Sequence, residues 1–115
     1  MPEPTIIQLS EFDITQKIIE SLSNVCTRAV LFSIKNKSKE ATLISNELKI
    51  SLSTVYKTLS TLEGLALAEV DKYVISSEGK KIKIYRSRIG KVEITLDNLE
   101  PTLNLYSNIS NPKSS

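Results

Sequence analysis

Two clusters of side chains in this sequence carry groups that suit a polyanion. The first is Ser51, Ser53, Thr54, Tyr56, Lys57 and Thr58, a run of hydroxyls around one ammonium group. The second spans residues 80–91 and holds Lys80, Lys81, Lys83, Arg86, Arg88 and Lys91, six basic residues in twelve with no acid among them. Ammonium and guanidinium groups displace the counterions condensed on a phosphate chain, and hydroxyls hydrogen-bond either phosphates or base edges. The formal net charge is only +2, but its distribution is uneven. Residues 1–34 carry two basic and four acidic side chains, residues 35–91 twelve and six, and residues 92–115 one and three. Positive charge is thus confined to the central segment that holds both clusters, the footprint of a polyanion-binding face.

Other chemistries are short of residues. There is no histidine and Cys26 is the single cysteine, so an intrachain disulfide, a Cys/His metal cage and Cys–His or Ser–His catalysis lack their parts. No Gly-rich phosphate loop and no pair of acids at catalytic spacing is present, so no enzyme activity, cofactor or metal is expected. Cys26 falls within an apolar-periodic segment and reads as a structural thiol. No apolar run approaches the roughly 20 residues that span a bilayer, and the start, MPEPTIIQLSEFD, lacks a basic region followed by an apolar one. A cytoplasmic protein is expected. At 115 residues, 40% hydrophobic and 24% charged, the chain has the size and composition of one globular domain.

The elements that must position the two clusters follow from periodicity. Ile14, Ile18, Leu22, Val25, Ala29 and Phe32 recur at steps of three or four, which predicts helix from about 14 to 35, with Asp13 as N-cap and an interruption at Ser23-Asn24. Residues 1–13 read as a tail. A second helix is expected from Glu40 to Leu48. The turn Ile50-Ser51-Leu52-Ser53 follows, with Ser51 or Ser53 capping a third helix that ends near Gly64 or Leu65. On that helix Leu52, Val55, Leu59 and Leu62 share one arc, whereas Ser53, Thr54, Lys57 and Thr61 point the other way. Ser45, where the two helices approach most closely, is small, and Ile50 and Val55 plug the angle between them. This is a helix-turn-helix pattern.

Beyond it the period becomes alternating. Residues 67–76 and 80–88 read as two strands joined by Ser77-Glu78-Gly79, and Gly90 permits a reversal into a further strand over 91–96. Lys81, Lys83 and Tyr85 should share one strand face, with Ile82 and Ile84 on the other. Asp97 or Asn98 and Pro101 suggest a last helix over 98–110, with Leu99, Leu103, Tyr106 and Ile109 on one side. Residues 111–115 read as a disordered tail.

From Ile50 to Glu69 the sequence reads I-S-x-S-T-V-Y-K-x-L-x-x-L-E-G-x-x-L-A-E, followed by Gly79-Lys80-Lys81 and the strand KIKIYR. Over residues 22–88 it resembles the winged helix-turn-helix transcription regulators, in the broad ArsR-like and MarR-like group of bacteria and archaea. Lys49 and Ala66 stand where many members have glycine, and a non-glycine residue held left-handed there costs on the order of 1 kcal/mol. Metal-sensing members use paired cysteines or histidines, which this chain lacks.

The resulting expectation is an α+β fold, a mostly helical winged helix-turn-helix over 14–97 with a β-hairpin wing and flanking N- and C-terminal helices. Its partner would be double-stranded DNA, read by a recognition helix over about 52–63 in the major groove, with the wing over about 76–91 on phosphates or the minor groove. The candidate contacts are Ser51, Ser53, Thr54, Tyr56, Lys57, Thr58, Lys80, Lys81, Lys83 and Arg86. A ring such as Tyr56 can instead pack on the scaffold, and edge-strand lysines can serve only to prevent aggregation. One such module reads few base pairs, so a homodimer joined by the N- and C-terminal helices is expected. The alternatives are a protein-interaction module of a transcription complex and a non-specific architectural DNA-binding protein.

Overall fold

The computed structural model describes residues 3–9 and 12–113. In chain order these form β1 (Ile6–Leu9), α1 (Phe12–Ser23), α2 (Val25–Ser33), α3 (Ala41–Leu48), α4 (Leu52–Gly64), β2 (Ala68–Ile75), β3 (Lys81–Ser87), β4 (Ile89–Thr95) and β5 (Thr102–Ser107). The fold is α+β, with four helices and two antiparallel sheets of order β1-β5-β4 and β2-β3. No helix is long and apolar enough to cross a membrane, and no cluster of acids and cysteine suits a metal ion, among the described residues.

Helices α1 and α2 meet at the expected interruption, and Asn24 is its cause. The Asn24 side chain accepts a hydrogen bond from the Thr27 N–H at 3.1 Å and caps α2. Restarting the helix also breaks the phase of the apolar stripe. Thr15, Ile18 and Leu22 are buried on α1, but α2 buries Val30 and Leu31, with Ile34 just beyond its end, while Val25 is 70% exposed and Phe32 39%. Asp13, expected as the N-cap of α1, lies inside the first turn, where its carboxylate still suits the positive end of the helix dipole.

The α3–α4 joint is held by local bonds. The Ser45 hydroxyl donates to the Ile50 carbonyl at 2.5 Å, and the Ile50 N–H returns to the Ser45 carbonyl at 3.2 Å. Lys49 caps α3 in the left-handed conformation, φ 55. Ser51 caps α4, its Oγ accepting from the Thr54 N–H. Behind the cap Val55, Leu59 and Leu62 are sealed in one core with Ile34, Ile44, Leu67 and Leu103, each such side chain contributing about 1.5–3 kcal/mol. Leu52, expected on the same arc, is 37% exposed because it opens the helix beyond the edge of that core. Ala66 turns the chain out of α4, also at positive φ.

The two ends of the chain differ from expectation. Residues 98–110 form no helix. Thr102–Ser107 is instead the central strand β5, paired with β4 through Leu105↔Val92 and with β1 through Leu105↔Ile7. Its apolar residues bury at a step of two, Leu103 and Leu105, whereas Leu99 is 95% exposed. Two neighbouring strands satisfy both of its edges, which a helix at this place could not offer them. Residues 6–9, read as tail, supply one of those neighbours. The homodimer contact expected from a C-terminal helix therefore has no helix to make it. Gly90 lies at the bulge where β4 leaves β3, and a Cβ there would meet the Ser107 carbonyl oxygen at 3.1 Å. Asn108 ties the region together by donating to the carbonyls of Lys35 at 2.7 Å and Ser87 at 2.9 Å.

Candidate nucleic-acid interface

The exposed side of α4 is polar because the opposite side supplies the core. Ser53, Thr54 and Lys57 project to solvent, Thr58 is half-buried, and Tyr56 is 53% exposed. The Ser51 hydroxyl is occupied at the cap, donating to Thr54 Oγ1 at 2.8 Å while it accepts from the Thr54 N–H. Ser51 is thus a positioning group for the first turn.

The β2–β3 hairpin is set beside the helices by one backbone contact. Lys39, just before α3, exchanges two hydrogen bonds with Tyr85 in β3, at 2.9 and 2.8 Å. Tyr85 is buried on that account, although its strand neighbours Lys81 and Lys83 on the same face are exposed. The turn of the hairpin uses Gly79 at φ 81, a conformation that costs glycine little. Lys81 lies over the Tyr73 ring, 4.3 Å from its centroid, which holds the ammonium group above the hairpin at no loss of charge.

These elements enclose a cleft of about 440 Å³ lined by Tyr56 of α4, Ala41 and Thr42 at the start of α3, Glu40 before it, and Lys80, Lys81, Ile82, Lys83 and Tyr85. Three lysines and a half-open aromatic ring face one space, and Glu40 is the single acid on its wall. Burial, with the Glu63 carboxylate as a second cause, raises the Tyr85 phenol above its ordinary 10.0, so it stays a neutral hydroxyl at the cleft.

The basic residues among the candidate contacts differ in their partners. Among the described residues, no ion pair engages Lys57, Lys80, Lys81 or Lys83. Arg86 behaves oppositely. It is 6% exposed, its guanidinium bonds the Glu69 carboxylate and donates to the Asn111 carbonyl at 2.6 and 2.9 Å. Arg86 therefore leaves the set of candidate contacts, since its donors are spent inside the fold. With the Lys113–Glu69 pair at 3.3 Å, it also docks residues 111–113, which had been read as loose tail; residues 114 and 115 lie outside the described residues. Lys91 pairs with Glu93 at 3.7 Å and Lys39 with Glu47 at 2.8 Å.

The structure thus gathers Tyr56, Lys80, Lys81 and Lys83 at one cleft and leaves Ser53, Thr54 and Lys57 exposed on the helix that carries Tyr56. Sequence reasoning missed Thr42 and Glu40. Their only signal is position, at the first turn of α3, and the Lys39–Tyr85 bridge that brings β3 to them has no periodicity to announce it. Compared with known proteins, the chain matches no family model and no curated sequence.

Proposed function

We propose that this protein binds double-stranded DNA in a sequence-dependent way as a transcriptional regulator of winged helix-turn-helix type, without catalysis. In this reading α4 is the recognition helix. Its Ser53, Thr54 and Lys57 enter the major groove, which is about 12 Å wide and admits one helix. Hydroxyls donate to or accept from base edges, and Lys57 reaches guanine O6/N7 or a phosphate. The β2–β3 hairpin is the wing, and Lys80, Lys81 and Lys83 take the phosphates that pass over the cleft. Tyr56 lays its exposed ring against a sugar or a thymine methyl.

The observation that carries the proposal is the cleft between α4 and the hairpin, where Tyr56, Lys80, Lys81 and Lys83 line one space with Glu40 as its single acid. Lys57 on α4 and Lys80, Lys81 and Lys83 at the hairpin have no ion-pair partner among the described residues, whereas the Arg86 guanidinium is held by Glu69. Three like charges at one cleft cost self-repulsion that a polyanion would relieve. A non-specific architectural role is the second reading, favoured by the single cation on the exposed face of α4.

The test is fluorescence anisotropy with a labelled duplex from the region upstream of the protein's own gene and a scrambled duplex, over a salt series, for wild type and Lys57→Ala. Tighter binding to the upstream duplex, weakened by the substitution, is the expected result. Equal binding to both duplexes moves the assignment to an architectural protein. No binding at low salt removes DNA as the partner and leaves a protein-interaction module.

A further inference from the structure

We propose that the free edge of β4 is a self-association surface, on which a second copy of this chain pairs antiparallel about a two-fold axis at Val92. The order β1-β5-β4 leaves β4 with a neighbour on one side only. An open edge of seven residues presents backbone donors and acceptors that invite another strand unless its side chains forbid it. Here the side chains invite it as well.

Lys91 and Glu93 flank Val92 and share the face of the sheet that carries Tyr106. On that face Lys91 lies opposite Tyr106, its ammonium 5.1 Å from the ring centroid, and the Tyr106 hydroxyl donates to Glu93. Within one chain the Lys91–Glu93 pair is largely solvated, with the side chains 63% and 43% exposed, and such a pair is worth little. A two-fold at Val92 changes its setting. Lys91 then lies opposite Glu93 of the second copy, and Glu93 opposite Lys91 of that copy, so four charges alternate across the axis. Opposite charges directly across a strand pair attract, and like charges there repel.

The register is selective. A two-fold requires both copies to present the same face, so the axis must fall on a residue. Moving it to Glu93 sets two carboxylates opposite each other, and moving it to Lys91 sets two ammonium groups opposite each other. Val92 is also the midpoint of Ile89–Thr95, so that register uses the whole strand. Gly90, at the bulge, puts no side chain opposite Ile94 of the second copy.

The other face of β4 supplies apolar surface beside the same edge. Val92 and Ile94 line a groove of about 370 Å³ with Ile19, Leu22 and Phe32. Ile94 is 45% exposed, Phe32 39% and Leu96 74%. A second copy continuing the sheet lays its own Ile94 and Leu96 toward this groove. The result is one six-stranded sheet, β1-β5-β4-β4-β5-β1, with a groove on each side of the axis. The surface shares no residue with the α4–hairpin cleft, so its test needs no DNA.

The test is sedimentation velocity over a concentration series for wild type, K91E, E93K and the double variant K91E/E93K, with thermal melts confirming that each folds. Wild type is expected to reach twice the 12.8 kDa of one chain. Each single reversal sets like charges opposite each other twice and should weaken association about tenfold, and the double variant should return to within about threefold of wild type. V92C, made together with C26S, adds a second readout. Residues on the axis have Cα atoms about 4.5–5.5 Å apart, within disulfide reach, so mild oxidation should give a covalent dimer. A wild type that stays monomeric to high micromolar concentration overturns the proposal. So does a double variant no stronger than the singles.

Discussion

Removing Lys81 and Lys83 together should change how salt weakens DNA binding, by an amount the structure allows to be counted. Four lysines on the proposed contact face, Lys57, Lys80, Lys81 and Lys83, carry no ion pair among the described residues. If each meets one phosphate, the slope of log K against log salt is about −3.6 per bound copy, at about −0.9 per contact. Affinity then falls about 150-fold between 50 and 200 mM salt. Lys81→Ala/Lys83→Ala leaves two contacts, a slope near −1.8 and a loss of about 12-fold over the same range. The assay is anisotropy titration at four or more salt concentrations, with stoichiometry fixed at saturation. Lys39→Ala is the internal control. Lys39 is also a lysine of the basic segment, but its ammonium sits 2.8 Å from Glu47, so the slope should stay unchanged. A slope unaltered by the double substitution would refute the assignment of these lysines to phosphates. An equal drop for Lys39→Ala would refute the rule that an ion pair withdraws a lysine from the count.

Three further outcomes follow from the fold. Lys49→Gly and Ala66→Gly should each raise stability by about 0.5–1 kcal/mol. A left-handed non-glycine residue costs roughly 1–2 kcal/mol, and the extra freedom of glycine in the unfolded chain returns about half of that; the two turns are separate, so denaturant midpoints of the double variant should show the sum. Arg86→Met should cost about 2–3 kcal/mol in chemical denaturation, because Glu69 is left with Lys113 alone and the carbonyls of Asn108 and Asn111 lose the guanidinium donor, yet leave the DNA salt slope intact. A changed slope with unchanged stability would place Arg86 at the nucleic acid after all. Tyr85 titrates above its ordinary 10.0 in the folded chain. Its contribution to stability is fully present below pH 10.0 and is lost as pH rises through the folded value. Tyr85→Phe should therefore flatten the alkaline decline in denaturation midpoint, and an unchanged decline would assign it to other groups.

The parts of this fold that are legible in the sequence are those settled by neighbours within a few residues. Ser51 caps the helix it precedes, Val55, Leu59 and Leu62 fall on one arc of it, and Gly79 sits at the positive φ of a short turn. Lys49 and Ala66 stand where the resemblance places glycine, and both are left-handed. The C-terminal segment reads as a helix in the sequence because Leu103 fits two periods. It pairs with Tyr106 at a helical step and with Leu105 at a strand step, and local propensity does not choose between them. What chooses is the arrival of β1 and β4, the first of them nearly a hundred residues away along the chain. The basic run over 80–91 is only partly legible for the same reason. Composition treats its six cations alike, whereas the fold brings Glu69 and the 108–111 carbonyls to Arg86 and gives Lys80, Lys81 and Lys83 no acid partner among the described residues.

Both differences bear on how the molecule would assemble. With β5 taken as a helix, the C-terminal segment offers an apolar face for a partner and β4 is only a further strand of the hairpin. With β5 as the centre of a sheet, Leu103 and Leu105 are consumed by the core, and the unsatisfied backbone moves to β4. That edge lies in the part of the chain where net charge changes from positive to acidic, and it carries one residue of each sign around its midpoint. An edge bearing lysine alone would repel its own copy and protect the monomer. An edge bearing Lys91 and Glu93 about Val92 repels in the two adjacent registers and attracts in one, which is the pattern expected of a strand that selects its own copy.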